Sequence, residues 1–347
     1  MYDAKISDSE YKVTPLAIGN GTRLAPKGSI LVLVRGSMLF NRVPMGIADI
    51  DVAFNQDVKA LAVSDGVNAD FLLNQLLALS PRIPVNETGI GAGKIETDTL
   101  ANLTVYLPSP PEQQNIADCL ASLDAVVAAQ GRKVETLKAH KKGLMQQLFP
   151  REGETLPRLR FPEFRDKPEW EENEVGKVFK VTRGEVLAMP LVKDKETDDS
   201  PYPVYSSQTK NLGLAGYYSE YLYEDAITWT TDGAHAGDVN YRHGRFYCTN
   251  VCGVLLSDKG YANPCTAALI NGVSRKHVSY VGNPKLMNGV MAKIRVPFPP
   301  LTEQQRIADC LSTLNARIAV EADKLAALKT HKQGLMQQLF PSPEGMA

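Results

Sequence analysis

The chain has 347 residues, of which 44% are hydrophobic and 22% are charged, and its formal net charge at pH 7 is −1. This length accommodates two domains, and the composition is typical of a globular protein. The sequence has no apolar run long enough for a membrane span and no apolar signal segment, so we expect no membrane partner. Its five scattered cysteines exclude a disulfide framework and predict a cytoplasmic location. Because the net charge is near zero, any affinity for nucleic acid must come from local patches or from partners.

Residues 1–110 predict a first β-rich domain of the α+β class. Segments with the strand pattern alternate with Gly, Asn and Asp turns, and they are residues 29–40, 53–64 and 102–108. Residues 68–79 predict one amphipathic helix. This domain has no counterpart of residues 156–187, which open the second domain, so we expect it to be shortened at its N-terminus.

Residues 111–150 predict a long helix that is repeated at residues 301–341. Segments 112–150 and 303–341 are identical at 24 of 39 positions, without a gap and at a constant offset of 191 residues. Apolar residues alternate at spacings of four and three, which is the pattern of a coiled-coil seam. The predicted seam contains Ile116, Leu120, Leu123, Val127, Val134, Leu137, Leu144 and Leu148 in the first helix, and Ile307, Leu311, Leu314, Ile318, Leu325, Leu328, Leu335 and Leu339 in the second.

Two polar pairs interrupt this seam at equivalent places, Gln130 with Glu321 and Lys141 with Lys332. Polar seam residues commonly fix the register of paired helices. Chain order favours an antiparallel coiled coil with a domain at each end, in a circular, pseudo-twofold repeat. Helices of this length measure roughly 55 Å, which corresponds to about 16 base pairs of DNA.

Residues 151–300 predict a linker and a second α+β domain, and residues 342–347 form a tail. The strand pattern recurs in three segments, which are residues 226–233, 245–257 and 293–299. Sequence similarity between the two domains is far weaker than between the two helices. A shared scaffold with divergent loops is what two different binding specificities require.

The repeated EQQ-x-IADCL and KGLMQQLFP motifs, with LRFPEFRDKPEW and PKGSILVLVRGS, resemble those of specificity subunits of type I restriction–modification enzymes. The resemblance implies two target-recognition domains that each read half of a bipartite DNA site. It also implies helices that set the gap and dock methyltransferase subunits, two of them, which use S-adenosylmethionine. A restriction motor-nuclease subunit, which uses ATP and magnesium, would join the complex. The chain itself would be non-catalytic and would bind no cofactor.

Sequence readout requires Arg, Lys, Asn, Gln, Ser and Thr side chains on positioned loops. In the first domain the candidates for DNA contact are Arg35, Ser37, Arg42, Asn86, Thr88 and Lys94. In the second domain they are Ser206, Ser207, Gln208, Lys210, Asn211, Thr231, His235, Arg242, Arg245, Asn283 and Lys285.

Motifs for catalysis and metal binding do not meet their spacing requirements. The glycine-rich residues 89–94 lack the first glycine of a phosphate loop, and Ile95 replaces the Ser or Thr that would hold magnesium. Cys248, Cys252 and Cys265 lack the paired spacing of a zinc site. Three other interpretations stay open at this point: a coiled-coil scaffold for protein partners, a free-standing enzyme, and a shortened specificity subunit that is dimeric or inactive.

Overall fold

The computed structural model describes residues 5–9, 11–89, 91–151, 153–207 and 211–340. The chain divides into two compact units: unit 1 comprises Met1–Lys133 and Glu321–Ala347, and unit 2 comprises Val134–Val320. Each long helix therefore contributes one part to each unit, whereas the predicted boundaries treated the helices as separate segments. The predicted tail, residues 342–347, lies outside the described residues. Helices and sheets occur in both units, so the predicted α+β class is confirmed.

Unit 1 is built on an antiparallel sheet with one parallel edge. Its elements are β1 (Lys5–Ile6), β2 (Arg23–Ala25), β3 (Ile30–Leu33), β4 (Arg35–Gly36), β5 (Met45–Ala48), β6 (Val52–Phe54), β7 (Val58–Leu61), α1 (Ala69–Leu79), β8 (Asn86–Thr88), β9 (Ala92–Lys94), α2 (Thr97–Ala101) and the first part of α3 (Pro110–Leu148). The main sheet has the order β1-β5-β3-β7, and smaller sheets have the orders β2-β6 and β4-β9-β8. Helix α1 packs Leu73 and Leu76 against Ile30 and Val32 of β3, and this cluster forms the core.

Unit 2 contains a larger sheet of the same kind. Its elements are β10 (Glu171–Glu174), α4 (Val175–Val178), β11 (Lys180–Arg183), β12 (Tyr202–Tyr205), β13 (Leu214–Tyr218), β14 (Tyr223–Thr230), β15 (Val239–Cys248), β16 (Cys252–Leu256), α5 (Pro264–Ser274), α6 (Asn288–Lys293), β17 (Arg295–Phe298) and the first part of α7 (Leu301–Leu339). The sheet has the order β11-β16-β14-β15-β12-β13, and β10 pairs with β17. Trp229 is buried here over Gly253, where a Cβ atom would lie 2.1 Å from the indole ring. Only glycine fits beneath that ring.

The central strands of the two sheets share one pairing register. Each is antiparallel to both of its neighbours, and the equivalent pairs are Ile30 with Ile47 and Leu61 in unit 1, and Ile227 with Tyr241 and Leu255 in unit 2. Side chains on a pleated strand alternate between faces, so a slip of one residue would reverse the faces. The agreement in register therefore shows that the two sheets are copies of one scaffold, although their sequences differ.

In unit 1 the two long helices pair antiparallel. The side chain of Lys332 contacts that of Asp124, and the Gln130 amide donates to the carbonyl and carboxylate oxygens of Glu321 at 2.8 and 2.7 Å. Partner numbers fall along α7 as they rise along α3, which defines the antiparallel direction. In unit 2, Met145 and Phe149 of the helix α3 region pack against the cluster that contains Ile307 and Leu311. Each of the sixteen apolar seam positions is buried or half-buried.

The strand predicted at residues 102–108 is not formed. In unit 2 the equivalent segment is β17, which is a strand because β10 lies beside it. Within the described part of unit 1, no strand pairs with residues 103–109. Among the residues that the structure describes, no helix combines the length and apolar character needed to cross a bilayer.

Candidate nucleic-acid interface

In unit 1 the small sheet β4-β9-β8 brings several candidate residues together. Lys94 of β9 pairs with Arg35 of β4 on one side and with Asn86 of β8 on the other. The Thr88 hydroxyl donates to the carbonyl of Ala92 at 2.7 Å and stabilises the turn between β8 and β9. The glycine-rich segment is thus part of a hairpin. This sheet presents two cations and an amide in one row, which suits contacts with phosphates and base edges.

The remaining candidates of unit 1 lie just after β4. Ser37 begins a 3-10 turn, Ser37–Phe40, and Arg42 follows it. Both side chains are exposed. Gly36, which precedes the turn, has φ of 147°, a conformation that favours glycine.

The ion-pair partners of Arg35 and Lys94 are carboxylates that are partly exposed to solvent. Arg35 lies 3.9 Å from Asp57, and Lys94 lies 2.8 Å from Glu96. Exposed pairs of this kind contribute little to stability and are screened by salt. Phosphate groups can therefore replace these carboxylates as partners at little loss of folding free energy.

Unit 2 forms the equivalent loop arrangement by the same backbone hydrogen bond. The amide of Leu286 donates to the carbonyl of Thr231 at 2.9 Å, and in unit 1 the amide of Ile95 donates to the carbonyl of Val34 at 2.9 Å. Lys285 consequently lies 3.6 Å from Asp232. The site of Arg35 in unit 1 is therefore taken by an acidic residue in unit 2, so the two loops present different charges on one scaffold.

The loop of residues 279–285 carries several exposed side chains, of which two were predicted to contact DNA. Asn283 and Lys285 are exposed, as expected of contact residues. Tyr280 and Val281 were not predicted, yet they are 70% and 92% exposed. The sequence signal was Tyr280 close to Gly282, because an aromatic residue in a glycine-containing turn can supply stacking and apolar contact surface at an interface.

A cleft of about 270 Å³ lies beside His235. His235 contacts Asp238 at 2.9 Å, and the guanidinium of Arg275 donates to the same carboxylate at 2.8 Å. Asn240 and Asn271 also line the cleft. Of these residues only His235 was predicted, although the cationic run Arg275-Lys276-His277 is visible in the sequence.

Arg242 was predicted to contact DNA, but it lies inside unit 2 on strand β15. Its side chain is buried, and it donates to the Thr228 hydroxyl at 2.9 Å and to the Leu212 carbonyl at 2.7 Å. The guanidinium also lies 3.7 Å from the centre of the Tyr205 ring. Burial lowers the pKa of Arg242. The residue thus holds the backbone at Leu212 from within the unit.

Thr231 is a second candidate that lies inside. It is buried, and its hydroxyl donates to the carbonyl of Val251 at 2.9 Å. Because that hydroxyl proton is already used, a role in holding the loop fits Thr231 better than a base contact.

The other candidates of unit 2 that the structure describes are half-buried or exposed. Ser206 accepts from the Thr249 hydroxyl at 3.0 Å, and Ser207 is half-buried. Asn211 is exposed and has φ of 49°, which asparagine tolerates. Arg245 is exposed and its guanidinium lies 4.9 Å from the centre of the Tyr221 ring. Gln208 and Lys210 lie outside the described residues.

The cysteines of unit 2 behave as core residues. Cys248, Cys252 and Cys265 are buried, and burial raises the pKa of the Cys252 thiol to about 11. Such thiols pack as small hydrophobic groups. In the described part of the chain, no three His, Cys, Asp or Glu side chains are grouped so that they could hold a metal ion.

Comparison with known proteins places this pair of units in a family. The model of the type I restriction modification DNA specificity domain matches residues 8–139 and 167–330. A putative type I specificity subunit N-terminus from Mycoplasma pneumoniae is 38% identical over 136 residues, which cover 38% of this chain and 71% of that protein. A second putative type I specificity subunit of that organism is 34% identical over 142 residues, which cover 40% of this chain. The match spans only 45% of the second relative's length.

A solved structure has the same fold at low sequence identity. The crystal structure of the type I restriction–modification system S subunit from M. genitalium superposes with a TM-score of 0.62 and 18% identity. The superposition covers 92% of this chain and 84% of the other. Together with the doubled sheet, the paired helices and the family match over both units, this shows that the chain belongs to the type I restriction modification DNA specificity domain family.

Proposed function

We propose that the chain recognises a bipartite duplex DNA target, with one half-site read by each unit. One observation carries the proposal: the two sheets share their register and their loop-fixing hydrogen bond, while the loops carry different side chains. A shared scaffold presents both loops to the same kind of ligand, and the different side chains give each loop its own preference.

The chemistry of the loops supports DNA as that ligand. Arg35, Lys94 and Asn86 form one row in unit 1, and Lys285 and Asn283 lie on the equivalent loop of unit 2. Exchange of a carboxylate partner for a phosphate releases counterions from DNA, so binding should weaken steeply as salt rises. With a net charge of −1, the chain relies on these local patches and on partners for positive surface.

The proposal extends to a non-catalytic role within a larger cytoplasmic complex. Exposed faces of the two long helices would dock methyltransferase subunits, two of them, and a restriction subunit would join for cleavage. S-adenosylmethionine, ATP and magnesium would bind to those partners. The repeated helix sequence supports two equivalent docking sites, because 24 of 39 positions are identical in the two copies.

The test is selection of bound duplexes from a randomised pool, with the chain purified together with its methyltransferase subunit. We expect a consensus of two different half-sites separated by a fixed gap. The double variant Arg35→Ala with Lys94→Ala should relax one half-site only, and Lys285→Ala should relax the other. Lys259→Ala, which removes an exposed lysine of a turn outside these loops, is the matched control and should change neither half-site.

Two outcomes would contradict the proposal. A single half-site, or a palindrome of one half-site, would mean that one unit alone reads DNA, as in a shortened subunit that acts as a dimer. Failure to bind any duplex in the presence of the methyltransferase would favour a coiled-coil scaffold for protein partners.

A further inference from the structure

A buried ion pair in unit 2 joins the linker to the first turn of α7. Arg160 donates to the Glu303 carboxylate through Nε at 2.8 Å and through a terminal nitrogen at 2.7 Å. The indole nitrogen of Trp170 donates to the same carboxylate at 3.1 Å. All three residues are buried, so this end of the helix is fully covered.

The same linker segment then continues as a strand. Residues Glu171–Glu174 form β10, which pairs antiparallel with β17. Val296 and Phe298 of β17 are buried, at 1% and 5% exposure. Residues 158–174 therefore cover both the start of α7 and the strand that leads into it.

Unit 1 contains the same helix start and the same approach to it. At the repeat offset, Glu112 and Gln113 stand where Glu303 and Gln304 stand in unit 2. The side-chain amide of Gln113 donates to the carbonyl of Pro108 at 2.8 Å, as that of Gln304 does to Pro299 at 2.7 Å. The two helix starts are thus built alike.

The cover is missing among the described residues of unit 1. Tyr106 and Leu107 occupy the positions of Pro297 and Phe298, and they are 41% and 49% exposed. Glu112 is exposed, and the described residues give it no hydrogen-bond or ion-pair partner. In unit 2, residues 158–174 pair with the helix-start glutamate and with the strand before it. Among the described residues of unit 1, the equivalent glutamate and segment have no such partner.

The buried side chain of Gln75 lies beside this segment. Its amide is buried and donates to the carbonyl of Tyr106 at 3.0 Å, but its Oε1 accepts no hydrogen bond from any described residue. A buried acceptor without a donor reduces the stability of the folded state. Counted from the N-caps Asn68 and Asn263, the equivalent position in unit 2 is the apolar Ile270. Unit 1 thus has an unmet acceptor beside its uncovered segment.

We propose that Gln75, Tyr106, Leu107 and Glu112 form an acceptor surface for an extended polypeptide segment from another chain, with the chemistry of residues 158–174. The segment pairs antiparallel with residues 104–107 and covers Leu107 with apolar side chains. Its arginine forms a two-pronged ion pair with Glu112, and its tryptophan donates to the same carboxylate. Strand addition to an open edge and guanidinium–carboxylate pairing are both common modes of peptide recognition.

One contact that residues 158–174 make in unit 2 has no counterpart in unit 1. In unit 2 the guanidinium of Arg306 lies 4.6 Å from the centre of the Phe161 ring, whereas the equivalent position in unit 1 is Asn115. Asparagine has no cation to place over an aromatic ring. A phenylalanine at the position of Phe161 would therefore lose this cation contact and keep only the apolar contacts that Phe161 makes in unit 2.

A fluorescently labelled peptide of residues 155–176, titrated into the full chain, tests this proposal. We expect one peptide to bind per chain. Substitution of Arg160→Ala or Trp170→Ala in the peptide should weaken binding at least tenfold, which corresponds to about 1.4 kcal/mol. Arg158→Ala, which changes an arginine that is exposed in unit 2, is the control and should leave binding within about twofold.

Variants of the full chain locate the binding site. Glu112→Gln should weaken peptide binding at least tenfold, and Leu107→Arg should abolish it. Glu87→Gln, which changes an exposed glutamate of β8, is the control and should bind like the parent. Thermal unfolding checks that each variant is folded. Absence of peptide binding, or binding that Glu112→Gln leaves unchanged, would overturn the proposal.

Discussion

The backbone amide of Asn68 donates to the side-chain oxygen of Gln113 at 2.8 Å, and the Asn68 side chain accepts from the amide of Phe71 at 2.9 Å. Asn68 therefore caps α1 and ties it to the first turn of α3. Asn263 caps α5 in the same way, and its side chain donates to Gln304 at 2.8 Å. In each unit the capping asparagine thus ties its helix, α1 or α5, to the first turn of a long helix.

The side-chain cap predicts that Asn68→Ala lowers the free energy of unfolding by about 1–2 kcal/mol, because loss of an N-cap typically has that effect. Urea unfolding followed by circular dichroism measures it. Asn74→Ala is the matched control, since Asn74 lies in the same helix and its side chain donates only to the preceding turn. The control should stay within about 0.5 kcal/mol of the parent. Equal losses in the two variants would show that the Asn68 side chain does not stabilise α1 as a cap.

Loss of the buried ion pair between Arg160 and Glu303 should lower the free energy of unfolding further than loss of the Asn68 cap. Glu303→Gln removes the charge that faces Arg160, and an uncompensated buried charge typically lowers stability by about 3–5 kcal/mol. The exposed equivalent in unit 1, Glu112, serves as the control. Glu112→Gln should change the free energy of unfolding by less than about 0.5 kcal/mol. Similar values for the two variants would contradict the difference in cover between the units.

The helical part of the fold was predictable because its signal is local and repeated. Apolar residues at spacings of four and three give the seam directly, and Gln130 and Glu321 fall opposite each other at equivalent repeat positions. The equivalence of the two sheets was not predictable in this way. The strand pairs Leu31–Ala60 and Thr228–Val254 share one register although their residues differ, because strand pairing depends on backbone hydrogen bonds.

The candidate interface was predictable in its loops but not in its individual roles. A loop that is rich in Arg, Ser and Asn predicts exposure, and Arg35 and Asn283 are indeed exposed. Arg242 lies inside because Tyr205 and the Leu212 carbonyl, both distant in sequence, form its environment. The strand expected at residues 102–108 failed for a similar reason, because its pairing depends on a partner strand rather than on its own sequence.

Leu120 of the seam should contribute strongly to the free energy of unfolding, because it is fully buried against Phe71 and Phe340. Leu120→Asp would place a carboxylate in this cluster and should lower the free energy of unfolding by about 3–5 kcal/mol. Val126→Asp is the control, because Val126 lies on the same helix and is 48% exposed. Thermal unfolding compares the two variants. A stable Leu120→Asp protein would contradict the packing of α3 in unit 1.

Replacement of the Arg242 guanidinium should lower the stability of the protein, because this group makes several buried contacts. Lysine keeps the charge of Arg242 but cannot reach Thr228 and Leu212 in the same geometry or stack on Tyr205. Arg242→Lys should therefore lower the free energy of unfolding by about 2 kcal/mol and weaken the half-site preference of unit 2. Arg245→Lys, an exposed neighbour, should leave stability within about 0.5 kcal/mol. An unchanged Arg242→Lys protein would mean that the buried contacts do not hold the loop.

Asp225 predicts a pH dependence of stability on the acid side. Its carboxylate accepts from the amide of Gly244 at 2.8 Å, from the Tyr241 hydroxyl at 3.0 Å and from His243 at 2.9 Å. These bonds, the one from Gly244 first, lower the pKa of Asp225 from its ordinary value of 3.8. The stabilisation is complete above pH 3.8 and is lost as pH falls through the lower pKa of the folded state, because the unfolded chain takes up the proton first.

Asp225→Asn isolates this contribution, since asparagine tolerates the positive φ of 46° at this position and does not titrate. We expect the parent to be more stable than the variant by a constant amount between pH 5 and 7, and the difference to shrink progressively below about pH 4. Urea unfolding of both proteins over this range measures the difference. Since the Asp225 side chain is about half exposed, solvent screening should keep the difference small. A difference that stays constant down to about pH 2.5 would show that the charge of Asp225 does not contribute, and that the Gly244 contact acts through its geometry alone.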